Sequence, residues 1–98
     1  SLTRDDMVRI LTQPKNAITR QYQTLMSYDN VELSFEPEAL EAAADQALAR
    51  KIGARGLRSV MESVMTDIMY TVPSDPTIRS ITITADCFHG GSPRIERR

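Results

Sequence analysis

From Leu57 to Met69 the apolar residues recur without a miss: Leu57, Val60, Met61, Val64, Met65, Ile68 and Met69 fall at i, i+3, i+4, i+7, i+8, i+11 and i+12. That spacing draws one continuous stripe along an α-helix of 3.6 residues per turn. Pro73 and Pro76 end it. A stripe this long must be covered by other elements, so the remainder of the chain has to be arranged around this helix. With 98 residues there is room for a single core, and residues 1–98 are expected to form one domain. Only five aromatics are present, Tyr22, Tyr28, Phe35, Tyr70 and Phe88, so that core is built mainly from Leu, Ile, Val, Met and Ala.

The segments before the long helix supply its covers. Thr3 followed by Asp6 reads as a helix N-cap with an acidic residue reaching back, and Leu2 and Met7 occupy the flanking apolar positions. Met7, Ile10 and Leu11 make a short amphipathic helix that Pro14 stops or bends. A second helix carries Ile18, Tyr22, Leu25 and Met26, and Asp29-Asn30 turns the chain after it. Val31 to Phe35 alternates apolar and polar, which predicts a strand with one buried face. Pro37 suits the first turn of a third helix, whose stripe is Leu40, Ala43, Ala44, Ala47 and Leu48, with Gly53 as its stop. Ile78 to Thr84 is a second strand, Gly90-Gly91-Ser92-Pro93 a turn, and Arg94 to Glu96 a short third strand. The expected class is α+β, four helices with a small antiparallel sheet of two to three strands.

Several function classes fall away. One cysteine cannot make an internal disulfide, so a disulfide-stapled scaffold is excluded and a reducing, cytosolic-type compartment fits. No apolar run approaches the roughly 20 residues that span a bilayer, and the first residues lack a signal-peptide pattern, so no membrane partner is expected. A net charge of −1 disfavours general nucleic-acid binding. Cys87-x-His89 is two potential ligands without partners, which is too few for a metal site. Met61, Met65 and Met69 read as core or an oligomer contact, and Tyr22 as a packing residue.

Charge is segregated along the chain. Glu32, Glu36, Glu38, Glu41 and Asp45 form a block without a base, and Arg50, Lys51, Arg55 and Arg58 follow without an acid. Helix-dipole matching accounts for Arg50 and Lys51 at the end of the third helix. Arg55 and Arg58 come after Gly53, at the start of the long helix, where a cation faces the positive end of the dipole. Small residues at Gly53, Ala54 and Gly56 would leave the backbone N–H groups there accessible to an anion, and an arginine fork beside them suits phosphate oxygens. The plainer alternative is that these arginines pair with acids of the preceding helix. Spacing alone leaves the two readings open.

The string Gly53-Ala54-Arg55-Gly56-Leu57-Arg58 occurs with Leu11-Thr12-Gln13-Pro14-Lys15-Asn16-Ala17 and Gln21-Tyr22. Val31 to Phe35, Glu38-Ala39-Leu40 and Met69 to Ser74 follow the same order of motifs, and together they resemble the C-terminal small domain of the ClpX group of AAA+ protein-unfolding ATPases. The resemblance covers Leu2 to about Ile95. The related unfoldase HslU shares the Gly-Ala-Arg element. What the resemblance implies is that Arg55 is the sensor-2 arginine, reaching the phosphates of ATP bound at the junction with a large AAA+ domain. It implies an adenine contact for Leu2, for which the competing role is packing on Met7. Arg58 is expected in a structural ion pair.

The resemblance further implies a homohexamer with small-to-large domain contacts between subunits, protein substrates and delivery to the ClpP peptidase. The sequence contains no Gly-x-x-x-x-Gly-Lys-[Ser/Thr] loop and no acidic pair after an apolar strand, so ATP hydrolysis and Mg²⁺ are expected to belong to the large domain. This segment alone is not expected to be an enzyme, and its start at Ser1 fits a piece excised from a longer chain. The bacterial cytoplasm is the expected location, with the mitochondrial matrix as the alternative. The alternatives are a stand-alone α+β protein-interaction module or the equivalent domain of HslU; binding of nucleic acid through Arg50 to Arg58 is a third reading, and no such affinity is expected at moderate salt.

Overall fold

A computed structural model of the chain describes residues 3–13, 17–51 and 53–98. Helix α1 runs Arg4–Thr12, α2 Ile18–Ser27, α3 Pro37–Arg50 and α4 Gly53–Thr71; strand β1 is Glu32–Phe35, β2 Ile78–Ile83 and β3 Arg94–Arg97. Short 3₁₀ turns at Val72–Ser74 and Ala85–His89 complete the path. The class is α+β.

The stripe on α4 does organise the core. Leu57, Val60, Met61 and Met65 have no accessible surface and Ile68 very little, while Val64 and Met69 flank them half-buried. Met7 and Leu11 of α1, Ile18 and Met26 of α2, Ala39, Ala43, Ala44 and Ala47 of α3 and Leu33, Ile78, Ile81 and Ile83 of the sheet close around it. On α3 the closest contact is made by alanines, Ala39 and Ala42 included, and the expected Leu40 and Leu48 flank the seam half-buried. Methyl-sized side chains let α3 approach closely.

The α1 start is as the residue types predict. Asp6 N–H donates to Thr3 Oγ1 at 3.2 Å and Thr3 N–H donates to Asp6 Oδ2 at 3.1 Å, a reciprocal cap. Those hydrogen bonds hold the Asp6 carboxyl below its usual pKa. At the other end of α3 the expectation needs correction. The residue in the left-handed region is Lys51, at φ 59°, ψ 31°, and Gly53 instead opens α4. The long helix needs a turn two residues earlier than the glycine, and the lysine adopts the strained conformation there.

The sheet has the order β1-β2-β3, and it is mixed where an antiparallel one was expected. β2 and β3 are antiparallel, joined through the 3₁₀ turn Ala85–His89 and the Gly90–Pro93 turn, but β1 and β2 are parallel, with Leu33 opposite Ile81. The short connection between β2 and β3 brings the chain straight back antiparallel, whereas the α3–α4 crossover returns it to the starting end and lets β1 and β2 run together. Within the turn, Gly90 has φ 86°, and a Cβ on Gly91 would sit 2.9 Å from the Asp86 carbonyl oxygen, so neither position accepts a side chain without strain. One sheet face packs on the helices. The other carries Glu32, Ser34, Arg79, Ser80, Thr82 and Glu96.

Candidate functional site

The first N–H groups of α4 have no carbonyl four residues back to accept them, and the helix dipole makes this end positive. No acidic residue lies in the first turn. Arg55 does. It is exposed, and among the described residues it forms no ion pair. Gly53 and Ala54 lie in the same turn, and Gly56, one position past Arg55, is buried. Its lack of a side chain therefore serves the packed side of α4. Leu2 lies outside the described residues, as do Pro14, Lys15 and Asn16.

Three carboxylates of the acid block are engaged elsewhere in the fold. Arg4 of α1 takes two of the α3 acids, with Nε 2.9 Å from Asp45 Oδ1 and Nη1 3.7 Å from Glu41 Oε1. Arg94 of β3 takes Glu36 at 3.1 Å. The pairing of Arg55 and Arg58 with the preceding helix, which the sequence left open, does not occur among the described residues. Arg58 is also not in the expected ion pair. Its Nη2 donates to Gln21 Oε1 of α2 at 3.4 Å, since the charge-free amide is what α2 presents at that height.

Arg58 and Glu62 flank Tyr22, half-buried on α2; burial and Glu62 push the phenol pKa up, and Arg58 opposes them. Gln21 has a second role that the sequence did not signal. With Ala17, Arg20, Thr24, Leu25 and Tyr28 it lines an open groove of about 430 Å³ on the outer side of α2. Leu25, expected in the core, is 44% exposed there, and Tyr28 75%. Ten residues of helix offer only about one buried face, and Ile18, Thr19 and Met26 occupy it. Thus an apolar surface and the start of α4 are joined through one side chain.

Elsewhere, Cys87 is half-buried against Thr84, with Sγ 3.7 Å from Oγ1. His89 lines a separate groove with Arg4, Glu38, Glu41 and Asp45. Among the described residues no three His, Cys, Asp or Glu side chains are grouped to hold a metal. No helix among them is long and apolar enough to cross a membrane.

A family model described as the C-terminal, D2-small domain of ClpB protein matches residues 2–85, more than four fifths of the chain. The chain belongs to this D2-small family. Its similarity to curated proteins points to one branch of Clp proteins. It is 42% identical over 85 residues to the ATP-dependent Clp protease ATP-binding subunit ClpX of Borrelia duttonii, covering 87% of this chain and 20% of that protein. Against the ClpX subunits of Azotobacter vinelandii and Treponema denticola the identity is 48% over 77 residues and 49% over 73, covering 79% and 74% of this chain and 18% of each relative. The D2-small chain thus spans about a fifth of the length of the curated relatives it matches. The four helices and the accompanying sheet are the small AAA+ domain that the motifs around Arg55 had suggested.

Proposed function

We propose that this chain is the nucleotide-sensing small domain of an ATP-dependent protein unfoldase of the ClpX kind, with Arg55 as its sensor-2 arginine. The observation that carries the reading is an exposed arginine in the first turn of a 19-residue helix, with no carboxylate bound to it among the described residues. A cation there opposes the helix dipole by roughly 0.3–1 kcal/mol. Glu36, Glu41 and Asp45 of the acid block are bridged to Arg4 and Arg94. The guanidinium and the free N–H groups of α4 together fit an anion, and a triphosphate is the anion that the ATP-binding relatives suggest.

In this reading ATP lies between the chain and a large AAA+ domain, which holds Mg²⁺ and supplies the hydrolytic groups. Arg55, carried on a helix that spans the core, turns phosphate occupancy into a movement of the whole small domain. Leu2 is proposed to meet the adenine, with Gly53 and Ala54 forming the helix start at the phosphates and the buried Gly56 letting that turn pack against the core. The apolar groove on α2 supports contact with the large domain of a neighbouring subunit in a homohexamer, and unfolded substrates pass to a ClpP-type peptidase docked through another part of the protein. The bacterial cytoplasm is the proposed location.

The test is made in the full-length protein. Arg55→Ala and Arg55→Lys are expected to leave the circular dichroism spectrum unchanged and to reduce ATP-driven unfolding of a tagged substrate at least tenfold, because a lysine cannot reproduce the planar fork. Unfolding at the wild-type rate by either variant refutes the assignment.

A further inference from the structure

The two edges of the sheet are treated differently. α2 packs along β1, and the Gln23 amide donates to the Leu33 carbonyl at 3.1 Å. At the other end, no described residue pairs with the outer edge of β3, and all four of its residues are exposed. Ile95 makes this exposure informative. It stands opposite Ile81, so both side chains project from the helix-covered face. Ile81 is 1% exposed and Ile95 41%. Ile81 has Leu33 on one side and Ile95 on the other, whereas Ile95 has a strand neighbour on one side only.

Arg94 and Glu96 lie on the opposite, polar face, across from Thr82 and Ser80. Charged residues on an edge strand ordinarily guard it against pairing. Here the charges have opposite sign and sit symmetrically about Ile95. An antiparallel copy related by a two-fold axis through Ile95 sets Ile95 against Ile95, Arg94 against Glu96 and Glu96 against Arg94. Centred one residue further on, at Glu96, the pairing would set Glu96 against Glu96 and Arg94 against Arg98; centred at Arg94 it would set Arg94 against Arg94. The charges therefore select one register, and in it the missing neighbour of Ile95 is supplied by the second Ile95.

We propose that β3 is a self-recognition edge: two copies of this chain pair antiparallel through Arg94–Arg97 about a two-fold axis at Ile95, making one six-stranded sheet. The existing bridges of Arg94 to Glu36 and of Arg79 to Glu96 are exposed and exchange partners at little cost. Four residues per edge bury less than the about 1,000 Å² of a stable specific interface, so the association is weak and concentration-dependent. It does not depend on the nucleotide reading of Arg55.

Sedimentation equilibrium of the 98-residue chain, from about 10 µM to about 1 mM, gives the association constant. Arg94→Glu and Glu96→Arg each place like charges opposite one another at both flanking pairs and are expected to weaken self-association roughly tenfold. An equimolar mixture of the R94E and E96R chains restores opposite charges at both pairs and is expected to associate at least as strongly as the unaltered chain. Amide exchange of β3 is expected to slow as the unaltered chain is concentrated, which a dimer through any other face would not produce. A chain that stays monomeric throughout, single variants that associate like the unaltered chain, or a mixture no stronger than its components would overturn the proposal. In the first case the edge is solvated or serves a different strand.

Discussion

Thr19 is buried at the start of α2, and its hydroxyl donates to the Leu11 carbonyl of α1 at 2.9 Å. That carbonyl is in the last turn of α1, where no helical N–H follows to reach it. Thr19→Val keeps the shape and leaves the carbonyl unmet, so it is expected to cost about 1–3 kcal/mol in urea denaturation, with Thr19→Ser recovering most of the loss. Asp75 works at the surface. Its carboxylate accepts from Thr77 N–H, Thr77 Oγ1 and Arg97 Nη1, which lowers its pKa from the ordinary 3.8 to about 2. Folded Asp75 holds its proton less tightly than unfolded Asp75, so its stabilisation is complete above 3.8 and disappears as pH falls through 2. Asp75→Asn should therefore melt below the unaltered chain at pH 6, with the gap closing as both are acidified; an unchanged gap at pH 2 would contradict that account. At this scale the sequence was only partly legible. Arg55 falls in the first turn of a helix by spacing alone, but the partners of the α3 acids do not follow from any period. Arg4 is 41 positions from Asp45, and Arg94 is 58 from Glu36. Only tertiary packing brings such pairs together.

Among the elements, α4 was legible because its stripe runs unbroken and prolines stop it. The α3 start was equally plain from Pro37, which takes the first helical position. Its end was not. Glycine is the usual residue past a helix terminus, so Gly53 drew the expected stop, while the left-handed position belongs to Lys51. A lysine there costs about 1–2 kcal/mol of local strain, and glycine gives back part of the gain through the freedom of the unfolded chain. Lys51→Gly is accordingly expected to raise stability by a few tenths to about 1 kcal/mol, seen as a higher Tm, and a lower Tm would mean that Lys51 makes a contact outweighing the strain. Strand direction was illegible for a different reason: alternation reports which face is buried, and says nothing about which way a distant strand runs.

For the molecule as a whole, the accessible surface is 6092 Å², against about 5,600 Å² expected for a monomer of this mass. Among the described residues, large apolar side chains are left exposed at Leu25 and Tyr28 on α2, at Tyr70 near the end of α4 and at Ile95 on β3. Leu25→Ser with Tyr28→Ser is expected to cost the chain no more than about 1 kcal/mol, because Tyr28 is mostly in water and Leu25 is only partly covered. The same pair of substitutions should reduce ring assembly of the full-length protein in sizing experiments; normal assembly would remove α2 from the subunit contact. The contrast between the two sheet edges sets a limit on what self-pairing can build. An open strand at each side of a sheet propagates end to end and gives fibres. Here Gln23 and α2 stopper one side, so pairing through β3 joins two sheets and cannot run on into a fibre.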